Sequence, residues 1–135
     1  MKQNYYFDTS IWIDIYDQRG YNGKVAKQLM TKIILNNEII IYSNVIIIEL
    51  KKLGFSEHEI NQILKIARPD HSKRVHSTKL QLEEAIRVAK LRKVPLRDAL
   101  HAILARDHDA IFISRDWDFE QLKDITTTHK PEELL

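Results

Sequence analysis

The sequence predicts an α/β domain of three layers, α/β/α, on a mostly parallel central sheet of four to five strands. Three observations carry that expectation. Short apolar runs bounded by polar residues recur near residues 3–7, 38–42, 110–114 and 124–128, as expected of strands. Between them lie stretches with apolar residues at helical spacing, which makes each connection a crossover and the sheet parallel. Acidic residues follow two of these runs closely, Asp8 after the first and Asp116 after the third.

The chain has 135 residues, 44% of them hydrophobic and 30% charged, with three glycines and three prolines. That suits one globular domain over 1–135 with little room for linkers or disorder. The absence of cysteine excludes disulfides and thiolate chemistry. Neither end reads as a targeting signal and no apolar run approaches spanning length, so a cytoplasmic setting is the expectation. A net charge of +2 is too small to announce a nucleic-acid binder by itself.

Residues 3–7 are aromatic and suit a first strand. Asp8, Thr9 and Ser10 then offer consecutive capping side chains, and Ile11, Trp12, Ile15 and Tyr16 continue as a helix. Gly20 and Gly23 are expected to break it, before Val25, Leu29, Ile33 and Ile34 mark a second helix. The run VIIIEL over 45–50 fits strand or helix. Helix is the better reading, because Ser43 can cap it, Gly54 can close it, and two strands back to back would lack a turn. Ser56 with Glu59, and Thr78 with Gln81, have capping-box form and open two further helices. Residues 69–74 read as a polar connection between those helices, the second of which runs to Val94 before Pro95. Leu96, Ala99, Leu100, Ile103 and Leu104 share one helical face, residues 110–113 form a buried strand, and residues 114–118 turn the chain at its carboxyl end.

On this reading Asp8 and Asp116 lie just past strand ends, while Glu49 and Asp98 lie in early helical turns, so all four can face one edge of the sheet. Open α/β sheets place their ligands there. Clustered carboxylates raise each other's pKa until a cation neutralises them. Oxygen ligands without His or Cys favour Mg²⁺ or Mn²⁺ over zinc. Such ions bind phosphate oxygens and lower the pKa of a bound water, the chemistry of phosphodiester hydrolysis; one ion, or two about 4 Å apart, would serve. Each acid also has a plainer reading: Asp8 as a helix cap, Asp98 as a partner of the helix dipole, Asp116 and Asp118 as turn residues. Glu49 resists such a reading, since Val45 and Ile46 put it beside a buried face. Asp14, Asp17, Asp107 and Asp109 read as solvated or turn acids.

Four motifs in order, FDTS over 7–10, SNVIIIEL over 43–50, PLRDALHAILA over 95–105 and ISRDWDF over 113–119, resemble those of the PIN domain family. The likeness is to the compact form found as the toxin of VapBC-type toxin–antitoxin pairs, and the HKPEE ending over 129–133 is also similar. The resemblance implies a metal-dependent ribonuclease with the quartet Asp8, Glu49, Asp98 and Asp116, and Asp118 as a fifth contributor. Asp8 and Asp98 would hold the metal directly or through water. Glu49 and Asp116 would complete the site, and Ser114 would hold Asp116 or a water. Homodimers, and an antitoxin whose basic segment covers the acidic pocket, are implied as well.

RNA approaching a negative site needs cations at the rim, and Arg97, Arg115, Lys51 and Lys52 are near in sequence. Each could equally be solvated or ion-paired. Trp117 could stack on a base, although packing against the sheet edge is the plainer expectation. His101, among apolar neighbours one turn after Asp98, reads as structural. Two other functions stay open, an RNA-processing or decay nuclease outside a toxin pair and a nonenzymatic protein-binding module. A phosphoacceptor receiver fits less well, because it needs a lysine where Ser114 and Arg115 stand.

Overall fold

The computed structural model describes residues 2–135. These form β1 (Asn4–Phe7), α1 (Thr9–Tyr16), α2 (Gly20–Leu35), β2 (Ile39–Ser43), α3 (Asn44–Lys52), α4 (Glu57–Lys65), β3 (Ser72–Val75), α5 (Lys79–Arg92), α6 (Leu96–Asp107), β4 (Ala110–Ile113) and β5 (Thr128–His129). Short 3-10 turns occupy Pro69–His71, Trp117–Leu122 and Pro131–Leu134. The sheet order is β3-β2-β1-β4-β5, with every neighbouring pair parallel. No helix among the described residues is long and apolar enough to cross a membrane.

Chirality distributes the helices. The chain steps from β1 to β2 to β3 in one direction, then returns past β1 to β4, and right-handed crossovers in opposite directions lie on opposite faces. Accordingly α1 packs against α2, α3 and α4, whereas α5 packs against α6. Between the two layers Tyr6, Phe7, Ile40, Ile41, Phe112 and Ile113 are fully or almost fully buried. Every residue of α6 from Asp98 to Ala105 is buried. Its alanines at 99, 102 and 105 let it lie close on its neighbours.

The ambiguous run over 45–50 is helical, and both capping boxes are formed. Four expectations need correction. Residues 72–75, read as connection, form edge strand β3; its sequence SKRV has no apolar alternation because Lys73 and Arg74 are exposed, as suits an edge. The last strand is confined to Thr128–His129, with Asp124 and Ile125 still in the preceding turn. Gly20, in the left-handed region, stands at the break between α1 and α2 as expected, but Gly23 lies inside α2 and separates nothing. A Cβ on Gly23 would stand 2.5 Å from the Asp14 carbonyl oxygen, so the glycine permits α1 and α2 to meet. Finally, α5 ends at Arg92 through Lys93 in the left-handed region, before Val94 is reached.

Candidate metal centre

The reversal of chain direction between β1 and β4 makes their carboxyl ends a topological switch point, where a crevice opens in such sheets. Phe7 pairs with Ile113 in register, so the next residues, Asp8 and Ser114, emerge side by side. Asp8 is nearly buried. Its Oδ1 accepts the Thr9 N–H (2.8 Å) and its Oδ2 accepts the Ser114 hydroxyl (2.9 Å). Helix capping and membership of the acidic group therefore coexist in one carboxylate. Burial pushes its pKa up, and Glu49 adds to that, against the lowering effects of His101 and the Ser114 bond.

Ser114 is itself buried, and its Oγ accepts the Asp116 N–H (3.0 Å), tying Asp116 to Asp8 through one hydroxyl. Asp116 caps the following 3-10 turn, its Oδ1 accepting the Asp118 N–H (2.9 Å). That turn brings Asp118 round beside it. Asp98, in the first turn of α6, completes the group: Asp98, Asp116 and Asp118 each offer a ligand atom, all within 4.8 Å of one another.

Asp98 is buried, and its pKa is raised to about 6, chiefly by burial and further by Asp116 and Asp8, with Arg97 and His101 opposing. The Arg97 guanidinium lies 3.8 Å from Asp98 and 3.7 Å from Glu49, too far for hydrogen bonds, and its side chain is 61% exposed. Glu49 projects from α3 and bonds His101. Burial raises its pKa, but the His101 hydrogen bond, with Arg97, brings it below the ordinary carboxylate value. The donor set is thus wholly carboxylate, crowded and under-neutralised, which fits a hard divalent cation and not zinc.

The remaining candidates divide. Lys52 lines, with Arg97 and Glu49, a cavity of about 230 Å³ beside the acids. Lys51 faces away, into a separate cavity with Arg74 and Lys65. Arg115 points its Nη1 at Glu132 (3.0 Å), and its Nε and Nη2 are buried; an ion pair, not the rim, takes its charge. Trp117 was expected to pack and is instead 78% exposed beside Asp116 and Asp118. Asp14 was expected to be solvated and is buried, 3.7 Å from Arg19. His101 is buried as expected, yet it binds Glu49 directly. Only its spacing from Asp98 hinted at that.

Fold and acids together define an all-parallel α/β domain with a carboxylate centre at its switch point. A PIN domain family model matches residues 5–125, and the chain belongs to the PIN domain family. Among solved structures it is similar to VapBC2 from Rickettsia felis bound to a DNA fragment from their promoter, with TM-score 0.71 and 15% identity over 95% of this chain and 98% of that one. A toxin–antitoxin complex from Klebsiella pneumoniae gives TM-score 0.62 and 21% identity over 94% and 97%. PAE2754 from Pyrobaculum aerophilum gives 0.61 and 18% over 98% and 86%. Among curated proteins, none matches the chain in sequence.

Proposed function

We propose that residues 1–135 act as one unit, a Mg²⁺- or Mn²⁺-dependent endoribonuclease and the toxin of a VapBC-type pair. The observation that carries this reading is the convergence of Asp98, Asp116 and Asp118 within 4.8 Å, in a member of the PIN domain family. Asp98, Asp116 and Asp118 would hold the cation, with Asp8 and Glu49 flanking them. A cation held there would stabilise negative charge at a phosphate and lower the pKa of a water, the chemistry of phosphodiester hydrolysis. Ser114 keeps Asp8 and Asp116 in register. Arg97 and Lys52 hold phosphates of the RNA on either side of the cut, and Trp117 offers an exposed face on which a base can stack.

The toxin assignment is supported by the two toxin–antitoxin neighbours, and implies a cytoplasmic protein with an antitoxin whose basic segment covers the acids. Self-association is supported by an apolar groove of about 400 Å³ between α3, α5 and α6, where Ile48, Leu82 and Leu96 are partly exposed. Purified protein is expected to cut RNA with Mn²⁺ and to stop with chelator, and Asp98→Asn to remove cleavage. Full cleavage by Asp98→Asn would sink the proposal. Cleavage of one defined RNA without growth arrest on expression would favour the processing nuclease instead.

A further inference from the structure

Three side chains from three elements are sealed from solvent beside the acids: Tyr6 of β1, Ser43 at the end of β2 and His101 of α6. Tyr6 Oη lies 2.7 Å from Ser43 Oγ and 2.6 Å from His101 Nδ1, and His101 Nε2 bonds Glu49 Oε1. Buried polar groups are hydrogen-bonded almost without exception, so the hydrogens along this chain can be assigned from its far end.

The Ser43 hydroxyl carries one hydrogen, and among the described residues its Oγ has Tyr6 as its bonded partner. Although Ser43 precedes α3, its side chain caps no amide of that helix. Its hydrogen therefore goes to Tyr6 Oη. Burial, reinforced by the Asp8 and Glu49 charges, pushes the Tyr6 phenol up despite the Ser43 bond, so Tyr6 keeps its own hydrogen and directs it to His101 Nδ1. With Nδ1 accepting, the ring hydrogen sits on Nε2, facing a carboxylate that only accepts. The opposite polarity would leave the Ser43 hydrogen stranded in a sealed site.

We infer that His101 is a positioning residue: a one-way chain from Ser43 through Tyr6 presents the His101 Nε2–H to Glu49 and holds that carboxylate at the cation site. The inference rests on the nuclease reading above. Both ring nitrogens are occupied by this chain, so His101 is neither a ligand nor a base. Its work is to fix Oε1 and leave Oε2 on the side of Arg97 and Asp98. Outer partners of this kind orient the groups that meet the metal.

The test combines two readouts on the intact protein. Nitrogen-15 spectra of histidine-labelled protein, with His101→Gln assigning the signal, are expected to show His101 protonated on Nε2 and bare on Nδ1. Any other protonation pattern overturns the chain. Calorimetric titration with Mn²⁺ is expected to show affinity roughly 10- to 100-fold weaker in His101→Leu. His101→Gln, whose amide N–H stands near the place of Nε2, should recover most of the loss, while His101→Asn, whose amide stands nearer Nδ1, should not. Equal Mn²⁺ affinity in folded His101→Leu and wild type overturns the inference. Should His101→Leu fail to fold, equal affinity of the Gln and Asn variants does so. Wild-type protein that binds no Mn²⁺ overturns the cation reading and the positioning role with it, and the tautomer spectrum separates that failure from a wrong chain.

Discussion

Asp98 carries the clearest electrostatic consequence of the site. Its pKa of about 6 in the fold, raised first by burial, compares with 3.8 for the free side chain. The fold therefore retains a proton that the unfolded chain releases. The associated stability is complete below pH 3.8 and is lost as pH rises through 6. The ionised group then costs the metal-free fold on the order of 3 kcal/mol, reduced by solvent screening at the partly open site. Asp98→Asn is expected to raise the urea midpoint at pH 7.5 without metal, with the advantage fading toward pH 4; a lowered midpoint would contradict this assignment. Cation binding must displace the same proton, so Mn²⁺ affinity measured by calorimetry should fall about tenfold per pH unit below the Asp98 value, and stay flat if Asp98 is no ligand. Asp8, Asp98 and Asp116 stood out in the sequence because each follows a strand or opens a helix, a local position, whereas Glu49 lies well inside α3 and was singled out by the four-motif resemblance and its apolar neighbours. His101, Asp14 and Trp117 could not be read so. The partners of His101 come from β1 and α3, distant in sequence. Asp14 is buried by the close meeting of α1 with α2, Trp117 is left in open solvent, and neither outcome has a periodic signal.

Helices were read well because apolar spacing and capping boxes are local signals, and α6 in particular shows its apolar face at 96, 99, 100, 103 and 104. The edge strands were read poorly for a physical reason. β3 exposes Lys73 and Arg74, and β5 has only Thr128 and His129, both partly exposed. Neither buries enough apolar surface to leave a period-2 pattern, and both exist because β2 and β4 offer unpaired backbone. Gly23 misled in the opposite sense, since a glycine in a helix resembles a break when it in fact marks a close approach. A methyl group there meets backbone on both sides, Asp14 oxygen at 2.5 Å and Gln18 carbon at 3.0 Å, and no side chain can swing away. Gly23→Ala should therefore destabilise by about 1–3 kcal/mol in urea unfolding. The gain of a few tenths to one kcal/mol normal for Gly→Ala in a helix would show that α1 and α2 separate at no cost.

Sheet topology decides where chemistry can occur, because the return from β3 to β4 past β1 and β2 opens one crevice and every candidate acid borders it. The same return leaves α5 on the outside of α6, with Leu82 39% and Ile86 49% exposed although both lie on its apolar face. Together with Ile48 of α3 and Leu96 of α6 they leave apolar surface that the isolated fold does not cover, the usual mark of an association surface. If two copies meet there, Arg97 stands at the boundary, since it lines both this groove and the cavity beside Glu49. Leu82→Glu places a charge in the groove but contacts none of the acids. Sedimentation equilibrium should report a dimer for wild type and a monomer for Leu82→Glu. Mn²⁺ affinity should be unchanged in the variant, because all five carboxylates and the His101 chain belong to one copy. A Leu82→Glu protein that remains dimeric would move the association surface elsewhere on the molecule.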